Sequence, residues 1–176
     1  MNQTPPSILV VDDEENVFKS LQRCLRKEGY VLDHATGPEQ AFQLLAEKEY
    51  QVVLSDHLMP GMTGLQFLTL VRSRYPDAVR IMLTGHADLQ TAIDAINRGH
   101  IYRFLSKPWD DLELKAALYF ALEYRKESLE NRRLLSLVRN DSLAASRLEA
   151  KHPGITTVKR AENGAIILDL DEAVAG

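Results

Sequence analysis

Three aspartates, a threonine and a lysine stand where a phosphoryl group could be handled: Asp12, Asp13, Asp56, Thr84 and Lys107. Asp12, Asp13 and Glu14 follow directly on the apolar run 8–11, and Asp56 comes just after the run 52–54. Carboxylates brought close together repel one another and raise one another's pKa values unless a cation neutralises them. All-oxygen ligation with room for several waters suits Mg²⁺ or Mn²⁺. Thr84 ends the run in Ile-Met-Leu-Thr-Gly-His, and Lys107 ends the one in Phe-Leu-Ser-Lys-Pro-Trp. Beside a metal-neutralised carboxylate, a lysine and a hydroxyl have a definite use. The carboxylate attacks phosphorus in line, metal and lysine hold equatorial oxygens, and the hydroxyl binds one more. No dedicated base is needed, because aspartate is ionised at neutral pH. Each residue alone has a plainer reading: an Asp can cap the next helix, Thr84 can end a strand, and Lys107 can be solvated. Their joint placement carries the argument.

That placement requires a particular set of elements. Short apolar runs at 8–11, 52–54, 79–83 and 101–105 are the right length for strands buried on both faces. The run 30–35 alternates more and suits an edge strand. Between the runs, helical spacing of apolar residues predicts amphipathic helices: Val17, Leu21, Cys24 and Leu25, then Ala41, Leu44 and Leu45, then Leu65, Leu68 and Val71. Leu89, Ile93 and Ile96 mark the fourth helix, and Leu114, Leu118 and Ala121 begin the fifth. Gly29 is read as the stop of the first helix. Five β-α repeats with short connections predict a doubly wound α/β domain with a parallel sheet and right-handed crossovers. With strand order 2-1-3-4-5, the switch point lies between the first and third strands, and the acidic residues converge there.

From Asp110 to Lys151 there is neither Gly nor Pro, which predicts one helix longer than a small domain needs. Its best heptad register is Leu114, Ala117, Ala121, Tyr124, Ser128, Asn131, Leu135, Val138, Ser142 and Ala145, a seam weakened by Ser and Asn. A dimerising coil and a helix folded back on its own domain both stay open. His152-Pro153-Gly154 then stops the helix, and 155–170 reads as a β-hairpin around Asn163-Gly164. The resulting organisation is a domain over 1–125, an extended helix over 126–152, and a hairpin and tail over 153–176. The hairpin and its frayed end favour a natural terminus.

Composition narrows the classes. Hydrophobic residues are 45% and charged ones 26%, as in a globular protein, and the net charge of −4 is too mild for nucleic acid to be the main partner. Residues 125–151 carry seven basic against four acidic side chains, ordinary for a solvated helix. The single cysteine, Cys24, forms no intramolecular disulfide and is read as a small core residue. No secretory signal and no membrane-length apolar stretch is present, so a cytoplasmic location is expected.

Asp12-Asp13, Asp56 in SDHLMPGMTG, Thr84 before a small residue, and Lys107 followed by Pro108 resemble the response-regulator receiver domain of two-component signalling. The resemblance covers about residues 7–125. LTGHAD and RFLSKPWDD are further similar to receivers found with hydrogenase regulators and HD-GYP phosphodiesterases. It implies a flavodoxin-like fold in which Asp56 accepts phosphate from a histidine kinase or phosphotransfer protein. It also implies that Asp13, Asp56 and the main-chain carbonyl of Leu58 bind Mg²⁺ (or Mn²⁺), with Asp12 acting through water. Thr84 and Phe104 become the switch pair, with phenylalanine where tyrosine is frequent, and the Lys107–Pro108 bond becomes cis. Leu58 and His86 should flank the path of water to the phosphate. The loop after Thr84, the fourth helix and the fifth strand would form the responding face, near Ile93, Ile96, Tyr102 and Phe104.

No helix-turn-helix, GGDEF-like or HD-GYP motif follows, so the expected output is binding: a downstream protein target, or a second copy through the long helix and hairpin. No enzymatic turnover is expected beyond autophosphorylation from a phosphodonor. The alternatives are a constitutive receiver-fold scaffold and the N-terminal portion of a larger regulator with an output domain. An Asp-nucleophile phosphatase would need an acid/base Asp at position 58, which is Leu.

Overall fold

Strands β1 (Ser7–Val11) and β3 (Val52–Asp56) are buried along their whole length, as strands covered by helices on both faces must be. A computed structural model describes residues 4–85, 89–98 and 100–151. Within it the order of elements is β1, α1 (Glu15–Leu25), β2 (Val31–Ala35), α2 (Pro38–Glu47), β3, α3 (Gly64–Arg74), β4 (Val79–Thr84), α4 (Leu89–Asn97), β5 (Arg103–Ser106) and α5 (Asp111–Lys151). All strand pairs are parallel, in the order β2-β1-β3-β4-β5. The predicted doubly wound, flavodoxin-like α/β fold is the observed one. The exposed β2 start fits its reading as an edge strand.

Side-chain alternation along each strand divides the core in two. Leu9, Val11, Val53 and Met82 join α2, α3 and α4 residues such as Ala41, Phe67 and Ala95 on one face. Ile8, Val10, Leu54 and Leu83 meet Leu21 of α1 and Leu114 and Leu118 of α5 on the other. Local signals set the helix starts. Pro38 occupies the first turn of α2, and Thr63 and Gln66 form a reciprocal capping box on α3. The Asp110 carboxylate accepts from the amides of Leu112 and Glu113 ahead of α5, both at 2.9 Å.

Several details differ from the sequence-based expectation. Asp56 is the last residue of β3 rather than a loop residue beyond it. Among the described side chains of α4, Ala95 is buried and Ile96 packs against the core, whereas Ile93 is 39% exposed. Phe67, absent from the predicted apolar face of α3, is fully buried. The first helix ends at Leu25, ahead of Gly29, which takes a positive φ of 74° in the following turn. Tyr102 packs against the α1/α5 cluster, its ring 4.9 Å from that of Tyr124. Cys24 is only partly buried; burial and the neighbouring Asp111 side chain raise its thiol pKa.

The chain divides into two units, Met1–Leu129 and Glu130–Gly176. In the first, Leu114, Ala117 and Ala121, three positions of the predicted heptad seam, are buried against the sheet. In the second, the described residues are helical, and Leu135 and Val138 are each 68% exposed. No described helix is long and apolar enough to cross a membrane. The hairpin expected over 155–170 lies outside the described residues.

Candidate functional site

The site stands at the carboxyl ends of β1, β3, β4 and β5, where strand order reverses between β1 and β3. Register fixes which residues meet. Val11 pairs with Ser55, Asp56 with Leu83, and Thr84 with Ser106. Asp12, Asp56, Thr84 and Lys107 therefore leave the sheet at one edge.

Lys107 reaches across 95 residues of sequence to Asp12, its Nζ 2.8 Å from Oδ2, and lies 2.6 Å from Oδ1 of Asp56. Asp12 is fully buried, and its other oxygen accepts from the Glu14 amide at 2.9 Å. The plain helix-entry role and the site role thus fall on opposite oxygens of one carboxylate. Asp56 is 7% exposed, and its Oδ2 accepts from the Leu58 amide at 2.9 Å. Burial lowers the Lys107 pKa, but hydrogen bonds and charge from Asp12 and Asp56 outweigh it, so the net shift is upward.

Asp13 is exposed beside this pair. No three His, Cys, Asp or Glu side chains among the described residues make a ready-made metal cage. Asp12 is engaged by Lys107 and by the Glu14 amide. Two carboxylates, Asp12 and Asp56, face one ammonium, with Asp13 next in sequence, and all the donors are oxygen. One or two carboxylates plus waters is a normal Mg²⁺ environment, so the donor set fits a hard divalent cation.

Thr84 is 1% exposed, and its hydroxyl lies 3.2 Å from the Gly85 carbonyl. Its own carbonyl accepts from the Lys107 amide at 2.8 Å, tying the ends of β4 and β5. The Lys107–Pro108 bond is cis, as expected. Phe104 pairs with Met82 and packs half-buried on the α2–α4 side of the sheet. Leu58 is 65% exposed beside the Asp56 carboxylate. His86 lies outside the described residues.

Two residues were not singled out from the sequence. A Cβ on Gly64 would lie 1.9 Å from the Asp56 carbonyl oxygen, and the Gly64 amide donates to the His57 carbonyl at 2.8 Å. Only glycine lets α3 start this close to β3. Its position at the end of SDHLMPGMTG, a turn-rich stretch opening a helix, was the available signal. His34, on β2, contacts the Asp12 carbonyl; nothing in the sequence pointed to it.

Residues 8–119 match the family described as response regulator receiver domain. The chain belongs to that family. Among curated relatives, this receiver is 38% identical to the hydrogenase transcriptional regulatory protein HoxA of Cupriavidus necator, over 62% of this chain and 22% of that one. It is 30% identical to the C4-dicarboxylate transport transcriptional regulatory protein DctD of Rhizobium meliloti, over 97% of this chain and 37% of that one. The chain therefore spans less than two fifths of the length of these relatives. Among solved structures, it resembles the signal receiver domain of an HD domain-containing protein from Pseudomonas fluorescens Pf-5, with 43% identity and a TM-score of 0.69. That match covers 74% of this chain and 96% of the solved one. Likenesses to a hydrogenase regulator and to an HD-domain receiver both match the resemblance carried by LTGHAD and RFLSKPWDD.

Proposed function

We propose that Asp56 is the phospho-acceptor of this response-regulator receiver, taking its phosphoryl group from a histidine kinase or phosphotransfer protein. The observation that carries the reading is Lys107 Nζ bridging Asp12 and Asp56 at 2.8 and 2.6 Å. A carboxylate oxygen of Asp56 attacks phosphorus as the bond from phosphorus to the donor's imidazole nitrogen breaks. The electron pair leaves with that nitrogen, so no net oxidation occurs and the chain supplies no acid. Lys107 holds a phosphoryl oxygen once Asp56 is phosphorylated, and the Thr84 hydroxyl binds another.

Mg²⁺ (or Mn²⁺) fits among Asp13, Asp56 and the Leu58 carbonyl, with Asp12 acting through water; when bound it supplies charge neutralisation and polarises phosphoryl oxygens. Phosphorylation adds about −1.5 to −2 charge, which pulls on Thr84 and Lys107. Thr84 and Phe104 then form the switch, and Leu58 and His86 bound the water path. The output is altered binding of a downstream protein target, or of a second copy through the long C-terminal helix and hairpin, with 1–125 as the receiver.

A second reading, the receiver portion of a larger regulator, is favoured by the 22% and 37% of HoxA and DctD that align. Both are transcriptional regulators by name, so the exclusion of nucleic acid as a partner does not extend to such a protein. The Asp56 chemistry is the same in either case.

Adding beryllofluoride with Mg²⁺ should shift the amide resonances of Thr84 and Phe104 in the wild type and leave those of Asp56→Ala unmoved. An unchanged wild-type spectrum, or equal shifts in the variant, would sink the reading.

A further inference from the structure

The carbonyl of Asp12 lies beyond the last β1–β2 pair, Val11 with Ala35, and ahead of the first turn of α1. Neither sheet nor helix claims it. His34 does, its Nε2 2.9 Å from that oxygen. A carbonyl can only accept, so Nε2 carries the proton and donates. The His34 ring is held in turn by Phe18 of α1, stacked at a centroid distance of 4.5 Å and an interplanar angle of 4°. The Asp12 amide donates to the Ala35 carbonyl at 3.0 Å, so both polar groups of Asp12's backbone are anchored to β2 or its side chain.

We propose that His34 is a positioning residue for the acidic loop, fixing the Asp12–Asp13 peptide plane so that the exposed Asp13 carboxylate faces a divalent cation beside Asp56. The inference rests on the reading of Asp56 as a cation-assisted phospho-acceptor. Asp12 is already immobile, buried and bonded at both carboxylate oxygens. Asp13 is exposed, and its direction depends on the peptide before it. Rotation of that peptide would swing Asp13 while breaking only the His34 contact and distorting the turn into α1. The His34 donor therefore acts on Asp13 more than on Asp12.

The test uses the full chain, metal-free, with His34→Phe and His34→Gln. Phenylalanine keeps the aromatic stack on Phe18 and deletes the donor; glutamine deletes the stack and restores a donor. Calorimetric titration with MgCl₂ should show affinity about three- to tenfold weaker in His34→Phe, the scale of one lost hydrogen bond, and at least half recovered in His34→Gln. Long-range ¹⁵N spectra of the metal-free wild type should show the Nε2-protonated tautomer. Unchanged Mg²⁺ affinity in His34→Phe, or an Nδ1-protonated ring in the wild type, overturns the proposal. Should His34→Phe fail to fold, the tautomer and the His34→Gln titration decide it. A wild type that binds no Mg²⁺, or an Asp56→Ala variant that binds it equally well, overturns the site reading instead, and the tautomer still settles the contact.

Discussion

An ammonium placed 2.6 Å from one aspartate and 2.8 Å from another, in a largely buried setting, feels two opposing pulls. Burial disfavours its charge, and the two carboxylates favour it more, so Lys107 stays protonated with a raised pKa. The sign follows. A raised lysine contributes stability fully below its ordinary range near 10.4 and loses it only as pH rises through the folded-state value. Lys107→Met leaves Asp12 buried without its cation, and should lower unfolding free energy by about 1–3 kcal/mol, evenly across neutral pH. Urea titration checks this, and added Mg²⁺ should restore part of the loss. A variant as stable as the wild type would show that Asp12 does not depend on the lysine. Asp56, Thr84 and Lys107 were legible in the sequence because a strand end is an apolar run followed by a polar residue. That Asp12 spends one oxygen on the backbone and the other on Lys107 was not, because side-chain partners 95 residues apart leave no local trace.

At the scale of elements, the close approach of α3 to β3 shapes the floor of the site. Any residue larger than glycine at position 64 puts a Cβ against the Asp56 carbonyl. Gly64→Ala should therefore cost about 1–3 kcal/mol through forced backbone movement, and should slow phosphorylation of Asp56 by acetyl phosphate at the same time. Thermal unfolding and Phos-tag electrophoresis measure the two. Normal phosphorylation in a destabilised variant would separate α3 seating from acceptor geometry. Periodicity located α4 correctly but assigned Ile93 inward where, among the described side chains, Ala95 is buried and Ile93 is exposed. An apolar stripe on a short helix has a broad arc, and the packing partner decides which edge of it is covered. Phe67 was missed on α3 for the same reason.

Over the whole molecule, the long helix shows two kinds of apolar residue. Leu114, Ala117 and Ala121 are buried within the first unit, whereas Leu135 and Val138 remain exposed in the second. Exposed apolar side chains close together mark association surfaces. Self-association through this helix predicts that sedimentation of the full chain, activated with beryllofluoride and Mg²⁺, gives a mass above one chain, and that the double variant Leu135→Glu, Val138→Glu returns it to one. Identical sedimentation of variant and wild type would remove these residues from any assembly. Sequence alone determined the strand and helix alternation, the parallel doubly wound class and the set of chemical groups, since these follow from local periodicity and residue type, while the motifs around Asp56, Thr84 and Lys107 carried the resemblance to the receiver family. The tertiary structure decided what β3 rests on and which groups face one another. Lys107 lies against both aspartates, Gly64 under Asp56, His34 on the Asp12 carbonyl, and three of the ten heptad-seam positions are spent inside the domain. Those contacts depend on strand register and crossover packing, which bring together residues that no window of sequence contains.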